Sequence, residues 1–192
     1  VDYKEILGII SALIAFGISV SYIYTIVKGR TRPHFYSIAI DAVISSIVLA
    51  GAFISGAGAG VWNLAVSTLF VYVMVLLCFK YCTKDVTKLD AVFALGAGLA
   101  IIPWFLTKDP TLSVVLASMI ALLSMLPSAR KTWNDPYSEP WTLWAMNALK
   151  HVIAIAAISI LSVATLTYSV TMIFVAVAMV SIILYRRSIP RG

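Results

Sequence analysis

The chain has 192 residues, of which 61% are hydrophobic and only 11% charged, with a mean hydropathy of +1.00. A water-soluble domain carries about a quarter charged residues, so this composition excludes one and predicts an integral membrane protein. The net charge of +6 arises from clustered loop residues, described below, and requires no nucleic-acid partner.

In chain order, seven apolar runs approach the roughly 20 residues that a bilayer crossing requires: about 5–27, 35–55, 60–82, 88–107, 110–130, 139–162 and 164–186. They are continuously apolar and of helix length, whereas barrel strands alternate over about ten residues. The expected fold is all-α, one transmembrane domain over residues 1–192 with short connections and antiparallel neighbours. The first run follows a mixed Asp2, Lys4, Glu5 segment and reads as a spanning helix, not a removable signal. Cys78 and Cys82 stand one helical turn apart at the end of the third run and are expected to be free thiols.

Lysine and arginine fall on one side. Lys28, Arg30 and Arg32 follow the first run; Lys80, Lys84 and Lys88 the third; Arg130 and Lys131 the fifth; Arg186, Arg187 and Arg191 the last. The opposite side has Lys4 and Lys108 only. By the positive-inside rule the N-terminus is outside and the C-terminus in the cytoplasm, in a multi-pass protein of the cell (inner or plasma) membrane.

An offset of 103 residues lays runs one to three on runs five to seven without a gap, placing Lys28 on Lys131, Pro33 on Pro136 and Asp41 on Trp144. Repeat 1 then spans about 5–82 and repeat 2 about 110–186. The run at about 88–107 is an unmatched linker helix that makes the two triplets parallel, a 3+1+3 arrangement.

Two short turns carry a family resemblance. Lys28 to His34 reads KGRTRPH, and Lys131 to Trp133 reads KTW, after Pro127-Ser128. With three helices, a linker and three more, the chain resembles the SWEET and PQ-loop membrane proteins, nearest to small prokaryotic members with turns of the form KGKTKPH and KSW. The family's Pro-Gln pair is incomplete: the glutamine is missing from both halves, and Tyr24-Thr25 replaces the pair in the first. The resemblance implies a transporter of a small polar solute (sugar, nucleoside or vitamin-like) by alternating access. The alternative is a non-transporting receptor, adaptor or assembly subunit of the same fold, acting through its basic cytoplasmic side.

The polar residues inside the runs are the candidate solute contacts. Asp41 lies some six residues into the second helix, where a carboxylate is costly and turns to the bundle interior or a watery cavity. Trp144, Asn147, Lys150 and His151 lie in the sixth. By the repeat, Lys150 is about 9 Å deeper than Asp41, and a helical lysine points back toward its helix N-terminus. An Asp41–Lys150 ion pair is therefore within reach. The other arrangement has Asp41 at the cytoplasmic interface and Lys150 bonded to carbonyls or another helix. His151 titrates near neutrality and suits a proton relay or a packed hydrogen bond. Trp144, level with Asp41, suits stacking on a solute ring, and Asn63 suits interfacial capping of the third helix. Pro103 and Pro127 lie within apolar runs and are expected to kink them as hinges. Gly56 to Gly60 reads as a tight turn.

No nucleotide motif, HExxH, or Ser/His/Asp grouping occurs, so neither an enzyme nor a catalytic residue, metal or cofactor is expected. A retinal site is disfavoured because the lysine is on the sixth run, not the last. Membrane lipid and a small solute are the expected partners, with homo-oligomer formation left open.

Overall fold

The computed structural model describes residues 2–29, 33, 35–82, 88–100 and 102–188. Arg30, Arg32 and His34 of the first basic turn, Lys84 of the third and Arg191 of the tail lie outside the described residues. The described residues are helical and contain no strand. Helix α1 runs over Tyr3–Val27, and α2 over Phe35–Ile54. A 3-10 turn, Gly58–Val61, leads into α3, Trp62–Tyr81. Then follow α4 (Lys88–Leu99), α5 (Ile102–Thr107), α6 (Thr111–Ser124), α7 (Leu126–Asn134), α8 (Trp141–Ala156) and α9 (Val163–Ser188).

Among the described residues, five stretches are long and apolar enough to cross a membrane: Tyr3–Val27, Phe35–Ile54, Gly58–Tyr81, Thr111–Asn134 and Val163–Ser188. The other two expected runs are shorter helices than anticipated. In the fourth run the described helical residues are Lys88–Leu99 (α4) and Ile102–Thr107 (α5), and the sixth stops at Ala156 instead of about 162. Beyond Ala156 the backbone is used otherwise: Ser159 N–H donates to Ala57 O at 3.0 Å and Ile160 N–H to Gly56 O at 3.1 Å. These bonds tie the α2–α3 and α8–α9 connections together and leave those residues unable to continue a helix.

The prolines are also placed differently. Pro127 occupies the first turn of α7, after a break at Met125, and Pro103 is the second residue of α5. Pro127 thus lies just past a one-residue interruption at Met125 within the Thr111–Asn134 stretch, where its missing N–H is best tolerated.

Lateral order follows from which helices touch. Helix α3 packs against both α1 and α2, and α9 packs against both α6 and α8. The ring closes through α1 on α8 and α2 on α6, while α4 lies over α2 and α6. Exchanging α1 with α6, α2 with α8 and α3 with α9 maps this ring onto itself.

Small residues allow the close approaches, as required where lipid supplies no apolar driving force between helices. A Cβ on Gly51 of α2 would collide with Val114 of α6, and one on Gly8 of α1 would sit 2.7 Å from Ala59 O. The main core joins Ile40, Ile44, Val48 and Ala52 of α2 to Ala117 and Ala121 of α6, with Tyr168 and Met172 of α9 against it. Outward-facing Leu69, Leu76, Phe105, Leu106 and Phe174 are exposed, an apolar exterior suited to lipid.

The helix ends are closed by local chemistry. Gly56, at φ 80°, ends α2 with Ala57 N–H bonded to Ala52 O and Gly56 N–H to Phe53 O, a Schellman closure that favours glycine. At the basic end of α9, Arg187 donates to Pro136 O and Glu139 O, both at 3.1 Å, and Arg186 Nε to Trp133 O at 2.9 Å. The tail cations thus hold the α7–α8 connection. Cys78 and Cys82 are joined as a disulfide, which corrects the expectation of free thiols. Cys82 has left helical geometry for an extended conformation, bringing the two Cα atoms to 4.5 Å.

Candidate functional site

Polar side chains converge inside the ring from five helices. Lys150 and His151 of α8 are both buried. Lys150 Nζ donates to Ser67 Oγ of α3 at 3.2 Å, a bond across the α3–α8 contact. His151 Nδ1 and Ser169 Oγ of α9 lie 3.3 Å apart in a hydrogen bond, and the His151 ring meets Tyr168 edge-on with centroids 5.9 Å apart. The imidazole is held in orientation by two consecutive residues of one helix.

Asp41 of α2 makes no hydrogen bond or ion pair among the described residues. The residue is half-buried in the bundle. It acts electrostatically on Lys150, on Tyr168 and on Tyr22 of α1. The expected direct Asp41–Lys150 ion pair is not formed: no Asp41 oxygen lies within 4.0 Å of Lys150 Nζ, and the lysine bonds to another helix. The physical reason is lateral. Helix α3 packs beside α8 and offers the Ser67 hydroxyl to Lys150.

Asn147 and Trp144 are half-buried. They lie one and two turns before His151 on the same side of α8 and extend the polar side toward the start of that helix. Asn63 is not an interfacial cap. It is fully buried at the start of α3, and neither amide atom has a hydrogen-bond partner; no side chain caps that helix.

Sequence reasoning missed Tyr22, Ser67, Tyr168 and Ser169. A hydroxyl inside an apolar run is ordinary, because it bonds its own helix, as Ser118 does to Val114 O at 2.7 Å. The usable signal was spacing: Asn63 and Ser67 are one turn apart on α3, and Tyr168 and Ser169 are adjacent on α9.

The arrangement offers two opposite charges that do not touch, an oriented imidazole, two phenols and an amide in a shell of Ile, Val and Ala. Such a set can hydrogen-bond a small polar molecule and orient it, the ordinary pattern of a solute site in a helical bundle. The described grooves lie elsewhere: one between α1 and α8 is lined by Ile10, Leu13, Gly17, Ser21 and Met146, and two others border α2 and α3. None of the three includes Asp41, Trp144, Asn147, Lys150 or His151.

Comparison with known proteins returned no match to a family model, to a curated protein or to a solved structure.

Proposed function

We propose that this chain is a SWEET-like, PQ-loop-type transporter that moves a small polar solute across the cell membrane by alternating access. In this reading all seven runs cross the bilayer as two parallel triplets and a linker, N-terminus outside. The observation that carries it is a set of polar groups, Asp41, Ser67, Lys150 and His151, buried or half-buried among two helix triplets with the same neighbour order, α1-α3-α2 and α6-α9-α8. Polar groups concentrated at a repeat interface mark solute sites in such folds. Their cost in an apolar interior is hard to account for by packing alone.

The connections at the Lys4 end support a closed outer side. Ala57 and Gly56 receive the N–H groups of Ser159 and Ile160, and Lys4 Nζ donates to Ile158 O at 2.9 Å. The adaptor alternative gains nothing from the tail, since Arg186 and Arg187 are engaged by carbonyls of the α7–α8 connection.

The test is uptake by proteoliposomes, screened over radiolabelled sugars, nucleosides and vitamins. Uptake of at least one class is expected, with Asp41→Asn and Asn147→Ala lowering it at unchanged reconstitution. Absence of uptake for every class, or uptake indifferent to both substitutions, rejects the proposal.

A further inference from the structure

On the outside of the ring, Val43, Ile47 and Ala50 of α2 face Trp104 and Phe105 of α5 across a groove of about 620 Å³. The three α2 residues follow helical spacing, so the groove runs about 10 Å along that helix. Its floor holds a polar pair whose needs are already met. Ser46 Oγ donates to Ala42 O at 2.7 Å and accepts from Tyr72 Oη at 2.9 Å. A polar occupant would find little to bond, whereas a hydrocarbon chain leaves no group unsatisfied.

The mouth is different. Lys108 lines it, and its backbone is left-handed, with φ 59° and its N–H bonded to Trp104 O at 2.9 Å. Glycine ordinarily holds that place after a helix, and an L side chain there is disfavoured. A lysine kept in such a conformation at the rim of an apolar groove points to use of its charge.

Of the adjacent charged residues Lys108 and Asp109, Lys108 lines the groove and Asp109 does not. Asp109 accepts from Thr111 N–H at 2.9 Å, and the Thr111 hydrogen bonds hold its carboxyl below the usual carboxylate range, so it serves the start of α6. Lys4, the other cation on this side of the protein, is engaged by Ile158 O. Trp104 one turn deeper suits the headgroup boundary.

We propose that this groove binds one anionic phospholipid, with its phosphate on Lys108 and an acyl chain along Val43, Ile47 and Ala50. Charge complementarity selects an anionic headgroup, and the satisfied floor selects a hydrocarbon tail. This inference depends on membrane insertion but not on transport.

The full chain, delipidated in detergent and offered mixed phosphatidylglycerol and phosphatidylcholine, is examined by native mass spectrometry. One retained phosphatidylglycerol is expected, preferred about fivefold, the value of one lysine at an anionic surface. Lys108→Gln removes the preference and Lys108→Arg keeps it. Ala50→Trp, which fills the groove, removes retained lipid of both kinds. Lys108→Gly, which relieves the left-handed backbone, also loses the preference, so that loss cannot be attributed to unfolding. Elution and helicity confirm that each variant is folded. The proposal is overturned by equal retention of the two lipids in the unaltered protein, by a preference that survives Lys108→Gln, or by lipid retained in folded Ala50→Trp.

Discussion

Lys150 Nζ donates to Ser67 Oγ at 3.2 Å, joining helices α8 and α3 from opposite halves of the chain. A lysine so placed has two separable contributions, one to stability and one to the site. Removing only the acceptor leaves a buried ammonium without its bond, a loss of about 1–3 kcal/mol. Ser67→Ala is expected to lower the Tm in detergent accordingly. Lys150→Met, which removes the charge and fills its volume, is expected to stay within about 1 kcal/mol of the unaltered protein or exceed it, while solute uptake is lost. Equal Tm values for Ser67→Ala and the unaltered protein would show that the bond contributes nothing.

Asn63 is fully buried with both amide atoms unpartnered. Replacement by leucine, the residue at the corresponding place in the second half, Leu166, removes the desolvated amide at similar volume. Asn63→Leu should raise stability by about 1–2 kcal/mol or leave it unchanged. A clear fall in Tm would mean that the amide is bonded in the working protein.

The seam between the two interhelical connections depends on glycine at one point. Gly58 has φ 58°, and a Cβ there would collide with Ser159 Oγ. Gly58→Ala therefore combines backbone strain with a steric clash and should cost at least about 1–2 kcal/mol. Shortening the opposing side chain should restore part of this, so Gly58→Ala with Ser159→Gly is expected to melt above Gly58→Ala alone. A strictly additive double mutant would argue against contact across the seam.

Lys108 sits in the left-handed region at φ 59°. If its conformation is retained for binding, stability should improve when the side chain is removed. Lys108→Gly is expected to gain about 0.5–1 kcal/mol, relief of the left-handed strain less the entropy of glycine. Thermal melts of delipidated protein measure this without interference from bound lipid.

Much of the secondary structure was legible because hydrophobicity is a local property. The starts of α2 at Phe35 and of α8 at Trp141, and the ends of α1 at Val27 and α3 at Tyr81, fall within two or three residues of the limits read from the apolar runs. Ser159 and Ile160 belong to an apolar run but give their N–H groups to Ala57 O and Gly56 O, partners about 100 residues away that no local pattern reveals. Met125 interrupts the helix ahead of Pro127 because a proline suits the first turn of a segment better than its middle.

The site divides in the same way. That Asp41, Lys150 and His151 must face inward could be read from composition, since a charge in an apolar helix is costly wherever lipid would be its neighbour. Which group each one meets could not. Tertiary structure alone placed Ser67 beside Lys150, and Ser169 and Tyr168 beside His151. Partner choice depends on which helices lie side by side, and that order is set by close contacts such as Gly51 against Val114. A sequence specifies one helix at a time through its own periodicity, while neighbours are selected only when the surfaces of distant segments meet.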